Sequence, residues 1–313
     1  MIDRYLLRYF LAVIDHGNFS RAAEQCNVSQ PTLSVGIAKL ERMLGRPLFH
    51  RTNRRVELTP AGAHLAVHAR RIEAEFNLAE AAVAGQGQRR TVRLGVLATI
   101  SSAFVARFVS ARRDPDEQVE LVEGRERDLL DRLARGRIDV ALTILRQDND
   151  RYERETLWRE GYGLALPESH ALAGEPVIAA EALADNVMIV RRNCEVLAET
   201  SHHFTTRGVR PFFAARTTSD DRALALVAAG LGVTVMPERH AASGVVRARL
   251  AGFDHAREIG LLYAAHAGSA DVGATAVIRA VRTATDQATP RNSFGPELLS
   301  QAGVRSGRGR KVE

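Results

Sequence analysis

The chain has 313 residues, 45% hydrophobic and 26% charged, with a formal net charge of +6. That length exceeds what one core organises and predicts more than one domain. No apolar run reaches the ~18 residues of a membrane span, Met1-Ile2-Asp3-Arg4 opens into an amphipathic helix rather than a signal peptide, and two cysteines make no disulfide framework; together they predict a cytoplasmic protein.

Leu6, Phe10 and Val13 form the apolar stripe of a first helix. From Asn18 to Ser34 the pattern is a short helix, a tight turn and a second helix, a device that places one helix in a DNA major groove. Ser29 is a good N-cap and Pro31 is tolerated in the first turn. Leu33, Ile37, Leu40 and Leu44 then predict a buried face, leaving Gln30, Thr32, Ser34, Val35, Ala38, Lys39 and Arg42 on the other. Short polar side chains at the helix start suit base edges, and the later cations suit phosphates. On spacing alone an ordinary αα-hairpin in a helical core is the alternative. Gly45-Arg46-Pro47 ends the helix, and Phe49 to Leu58 alternates as a small hairpin with Asn53 near its tip. Arg51, Arg54 and Arg55 would project from it as a wing towards phosphates or the minor groove. Residues 1–90 carry thirteen basic against eight acidic residues, whereas 91–285 are close to neutral. Affinity supplied in this way falls steeply with salt.

Thr59-Pro60 starts another helix, in which Leu65, Ala69, Ile72, Phe76, Ala79 and Val83 alternate steps of four and three. That spacing predicts a helix seeking a partner helix; packing on its own domain is the alternative. Residues 85–90 read as a hinge, so 61–90 form a dimerising linker. From 91 to 285 strands alternate with helices, which predicts an α/β unit with a mostly parallel sheet. Its strands are expected at 92–97, 119–122, 138–144, 162–166, 187–190, 212–216 and 232–236. Residues 286–313 lose periodicity and end in a Gly/Arg-rich, basic, disordered tail.

Ligands of open α/β sheets bind beyond the carboxyl ends of strands, near helix N-termini. Thr99, Ser101 and Ser102 follow the first strand and make an anion-friendly cradle; simple capping by the serines is the alternative. Arg192, Asn193 and Cys194 hold the equivalent place later in the chain, and Thr143 and Thr218 also fall at strand ends. A small carboxylate with Arg192 as counter-ion is the natural effector. Cys26 reads as core. Cys194 is expected to start a helix, with Arg191 and Arg192 before it and His202-His203 beyond, an environment that lowers a thiol's pKa. That makes a thiol-based oxidant or electrophile sensor the alternative, although no second cysteine lies in 91–285 to form an intramolecular disulfide. No Gly-x-Ser-x-Gly elbow, phosphate loop or Cys-x-x-Cys pair is present, so no enzyme, cofactor or metal is expected.

Residues 1–60 resemble the winged helix–turn–helix of LysR-type transcriptional regulators. The resemblance is carried by Ala22-Ala23-Glu24, Val28-Ser29-Gln30-Pro31-Thr32-Leu33-Ser34, Ile37, Leu40-Glu41, Leu44-Gly45, Leu48-Phe49 and Leu58-Thr59-Pro60-Ala61-Gly62. The chain departs from it at Val35-Gly36, where family members often place Arg. The resemblance implies an N-terminal all-α winged helix–turn–helix, a long linker helix, and a two-lobed effector domain like periplasmic binding proteins. It implies that Gln30, Pro31 and Ser34 face DNA. It also implies a homodimer or homotetramer on an imperfectly palindromic promoter, a small-molecule effector in the cleft and, for an activator, contact with RNA polymerase. Peroxide-sensing members make Cys194 the corresponding alternative. A ligand-binding protein whose N-terminal helices serve only in assembly is the different-class reading.

Overall fold

A computed structural model describes residues 2–51, 56–84, 90–267 and 269–287. Three helices, α1 (Arg4–His16), α2 (Phe19–Gln25) and α3 (Gln30–Leu44), form the N-terminal head. Each is closed locally. Gly17 ends α1 in the left-handed region at φ 62°, and the Asn18 side chain accepts from the Ser20 and Arg21 amides to start α2. The turn into α3 uses Asn27 at φ 54°, which an Asn side chain tolerates, and Ser29 accepts from the Thr32 amide at 3.3 Å.

Leu33, Ile37 and Leu40 are fully buried against Leu6, Phe10 and Val13. Leu44, expected on the same face, is 37% exposed: it is the last residue of α3, which stops at Gly45 (φ 64°). Gly36 is buried because α1 crosses there: a Cβ would lie 2.7 Å from the Tyr9 ring. Strands β1 (Phe49–Arg51) and β2 (Val56–Leu58) pair antiparallel, Phe49 opposite Leu58. The expected tip at Asn53, with Arg54 and Arg55, lies outside the described residues, as does the Arg51 side chain.

Helix α4 (Pro60–Ala84) begins where the Thr59 hydroxyl accepts from the Gly62 amide at 3.0 Å and donates to the Pro47 carbonyl at 2.7 Å. Its apolar stripe is split. Ala69 is buried and Leu65 packs in the head's own core, while Ile72, Phe76 and Val83 are exposed. A methyl group at Gly62 would press into the Leu48 carbonyl oxygen, backbone that cannot swing aside. Gly62→Ala is expected to destabilise the head by about 1–3 kcal/mol. Urea unfolding followed by circular dichroism checks this, and an unchanged midpoint would contradict the close packing.

The rest is one α/β unit of two lobes. The first lobe is built from β3 (Arg90–Leu97), α5 (Ser102–Ala111), β4 (Glu117–Gly124), α6 (Glu126–Ala134) and β5 (Val140–Ile144). Strand β6 (Glu153–Pro167) then carries the chain into the second lobe. There follow β7 (Val177–Ile178), β8 (Val187–Arg191), α7 (Leu197–Thr205), β9 (Phe212–Thr217), α8 (Asp220–Ala228), β10 (Thr234–Pro237) and β11 (Val245–Leu250). Strand β12 (Ala256–Tyr263) returns to the first lobe, which α9 (Ser269–Gly273) and α10 (Ala276–Gln287) complete.

The sheet is mixed rather than mostly parallel. Strands β4, β3 and β5 run parallel, but β12 is antiparallel to both β5 and β6, and β10 and β11 are antiparallel to β6. The reason is connectivity: β6 and β12 ferry the chain out and back instead of closing a strand–helix–strand crossover. Residues 153–161 of β6 pair with β12, and residues 162–167 pair with β10 and β11. Glu160 and Gly161 therefore sit where one lobe becomes the other.

Candidate functional site

The first surface is the start of α3. Ser29, Gln30, Pro31 and Thr32 are exposed together, and Ser34 is half-buried one turn on. The Ser29 and Thr32 hydroxyls are 2.7 Å apart, so both are held by the cap. Val35 projects from the same face, 69% exposed. Lys39 is turned back on α1, donating to the Tyr5 hydroxyl at 3.0 Å with Asp3 3.7 Å away, so a phosphate would have to draw it out of those contacts.

The second is the crevice between the lobes. Thr99 follows β3 and is fully buried. Ser101 caps α5, accepting from the Phe104 amide at 3.3 Å. Ser102 bonds Asp221 at the start of α8, across the crevice. Asn193 also spans it, accepting from Arg125 at 2.9 Å and donating to the Thr218 carbonyl at 3.0 Å. Thr143 is buried inside β5, and its hydroxyl has no hydrogen-bond partner among the described residues. The exposed Arg192 is anchored by its backbone amide to the Thr217 carbonyl at 2.7 Å.

Cys194 does not start a helix: α7 begins at Leu197, and Cys194 lies in the preceding turn, half-buried. Its thiol is not acidified. Burial pushes it above the ordinary thiol value, and Arg191 and the Val196 amide only partly offset that. Arg191 is engaged elsewhere, donating from Nε to Asp220 at 2.7 Å, forming a second bond to the same carboxylate, and donating to the Val235 carbonyl at 3.1 Å. His203 lies on α7 with Arg207 and Phe253 rather than beside the thiol.

The centre of the crevice is a group the sequence reading missed. Arg257, at the start of β12, donates to Glu160 at 2.9 and 3.1 Å, to Glu195 at 2.7 Å, and to the hydroxyl and carbonyl oxygens of Thr99 at 2.8 and 3.0 Å. Tyr162 donates to the other oxygen of Glu195 at 3.1 Å, and the Thr99 hydroxyl bonds the first. Trp158 Nε1 and the Arg239 amide donate to Glu160 at 3.1 and 2.9 Å. Burial opposes the Glu195 charge, yet Arg257 and Thr99 hold its carboxyl below the usual range. His240 is buried 3.6 Å from Asp220; burial and the surrounding arginines keep it neutral. The available signal was period two: Trp158, Glu160 and Tyr162 share one buried strand face, as do Arg257, Ile259 and Leu261.

The crevice can hold the lobes together through charged, desolvated groups, and it places the half-buried Cys194 beside them. Among the described residues no group of three or more His, Cys, Asp or Glu could hold a metal, and no helix is long and apolar enough to cross a membrane.

Residues 5–63 match the model of the bacterial regulatory helix-turn-helix protein, lysR family, and residues 85–285 match the LysR substrate binding domain. Over 276 residues the chain is 34% identical to the "probable hydrogen peroxide-inducible genes activator" of Mycobacterium avium, covering 85% of this chain and 89% of that protein. It is 31% identical to the hydrogen peroxide-inducible genes activator of Haemophilus influenzae, covering 74% and 79%. In fold it is similar to a full-length OxyR variant from Pseudomonas aeruginosa, with TM-score 0.60 at 22% identity over 92% of this chain and 95% of that one. A hydrogen-peroxide-bound OxyR mutant from Corynebacterium glutamicum gives TM-score 0.52 at 24% identity over 91% and 93%.

Proposed function

The chain belongs to the LysR family of DNA-binding transcriptional regulators, and on that premise we propose that it responds to oxidants through Cys194. One observation carries the reading: Cys194 stands between Asn193 and Glu195, and both of these neighbours bond across the crevice. An oxygen or a disulfide adduct on that sulfur would fall between these two lobe-to-lobe contacts, and we infer that it shifts them. The relatives named for peroxide induction support the thiol reading over a free carboxylate effector, whose donors at Thr99 and Arg257 already hold Glu195.

The chemistry is a two-electron oxidation. The Cys194 thiolate attacks one oxygen of a peroxide, the O–O bond breaks, the departing hydroxide takes a proton to leave as water, and sulfur becomes a sulfenic acid. The only other cysteine, Cys26, lies in the head. A small thiol therefore resolves the sulfenic acid, forming an S–S bond and releasing water, or Cys194 of a second subunit does so. Because burial raises the thiol, reaction is slow at neutral pH and accelerates with rising pH.

In this reading α3 reads the operator through Gln30, Pro31, Thr32 and Ser34, and the wing arginines Arg51, Arg54 and Arg55 add phosphate or minor-groove contacts. The exposed half of α4, with Ile72, Phe76, Ala79 and Val83, pairs with that of a second subunit into a homodimer or homotetramer. RNA polymerase is the further partner where the output is activation.

Peroxide treatment of the full-length protein is expected to add one oxygen, then one small thiol, at Cys194, and to change the footprint on operator DNA. Cys194→Ser should abolish both changes while binding unoxidised operator normally. An oxidant response undiminished in Cys194→Ser would remove the proposal.

A further inference from the structure

Glu195 is held as a bound ligand would be. Its first carboxylate oxygen accepts from Arg257 at 2.7 Å and from the Thr99 hydroxyl, and its second accepts from Tyr162 at 3.1 Å. The three donors come from three places: the end of β3, the lobe-switching strand β6, and the start of the returning strand β12. Thr99, Tyr162 and Arg257 are 1%, 4% and 4% exposed. Glu195 itself belongs to no regular element; it reaches them from the turn before α7 in the second lobe.

We propose that Glu195 is a ligand carried by the chain itself: its carboxylate fills a small-carboxylate subsite made by Thr99, Tyr162 and Arg257, and in doing so latches the two lobes together. Glu160 already takes two bonds from Arg257. What remains unsatisfied without Glu195 is one guanidinium N–H and two hydroxyls that converge on one point. Buried donors left in that state are costly, so the subsite favours occupancy. The other crossings, Ser102 to Asp221 and Asn193 to Arg125, are exposed and compete with water; the Glu195 crossing is the desolvated one. A free monocarboxylate is thereby excluded from the intact protein, and release of the tethered one frees the lobes to part. That Glu195 fills this subsite in the unoxidised protein does not depend on whether Cys194 responds to oxidants.

The test is chemical rescue on the full-length protein. Glu195→Ala deletes the equivalent of one acetate. Its thermal midpoint is expected to fall by several degrees, and sodium acetate at tens of millimolar to recover much of the loss where sodium chloride of equal ionic strength does not. The unaltered protein should ignore acetate, and adding Thr99→Val to Glu195→Ala should abolish the rescue. Equal effects of acetate and chloride on a folded Glu195→Ala protein, or an acetate response in the unaltered one, would overturn the proposal. Should Glu195→Ala not fold in either salt, Glu195→Gln keeps the shape and loses the charge. Amide hydrogen exchange at residues 98–104 should then rise several-fold, and unchanged exchange would overturn the latch.

Discussion

Arg257→Met is expected to destabilise the two-lobed unit by about 3–5 kcal/mol, the usual cost of removing one partner from a buried ionic group. For a unit of this size that lowers the thermal midpoint on the order of 10 °C. Methionine fills much of the volume, so the loss is electrostatic: Glu160 and Glu195 stay behind in a space closed to water, both deprived of their guanidinium. The pH dependence identifies the cause. In the unaltered protein the Glu195 carboxyl lies below its ordinary value, so it contributes stability above its unfolded value and loses it as pH falls through the depressed folded one. Without Arg257, burial dominates and the folded value rises, so the penalty at neutral pH shrinks as pH falls through that raised value. The gap between the two proteins should therefore narrow on acidification, a trend that melts from about pH 8 to 5 resolve. A gap below about 1 kcal/mol, as for an exposed arginine, or one constant across this range, would contradict the buried network.

How legible each part was depends on how far its determinants lie apart in the chain. The head was readable because its signals are local: Ser29 caps the helix it begins, and Leu33, Ile37 and Leu40 follow a helical period. Leu44 kept that period but is partly exposed, since period says nothing about where the helix itself ends. The α4 stripe was also regular, yet its first half is used within the same head, because heptad spacing does not identify the partner. The first half of β6, Glu153 to Glu160, lies ahead of the strand expected at 162–166 and is rich in charged residues. It forms a strand because distant cations neutralise it: Arg282 meets Glu155 at 2.7 and 2.8 Å, and Arg257 meets Glu160. The same distance hid the crevice. The strand-end rule points to Thr99, Ser102 and Asn193, which lie beside the crevice, whereas Glu195 and Arg257 become neighbours only through the return of β12. Cys194 shows the opposite failure. Adjacent arginines suggested an activated thiolate, but Arg191 is committed to Asp220, twenty-nine residues further on.

That commitment makes Asp220→Ala the second large perturbation. Arg191 is 2% exposed, and removing its carboxylate leaves a buried guanidinium whose one remaining hydrogen-bond acceptor among the described residues is the Val235 carbonyl. The environment offers little relief: Glu195 is a remaining favourable charge, but Arg247, itself buried and lowered by burial and Arg191 to about 10, lies nearby, and His240 is neutral. A loss of about 3–5 kcal/mol is expected in urea unfolding. A second consequence has the opposite sense. Burial, Glu195 and Asp220 raise the Cys194 thiol and Arg191 lowers it, so deleting Asp220 removes one of the opposing influences and strengthens the cation's. Alkylation of Cys194 near neutral pH should then accelerate, with its pH midpoint displaced downward. General loosening would also speed alkylation, and Cys26 separates the two causes. It sits in the head, partly buried and away from this pair. A rise confined to Cys194 and accompanied by a shifted midpoint reflects charge. Equal rises at both cysteines with no shift would mean the protein merely opens, and that Asp220 does not restrain the thiol.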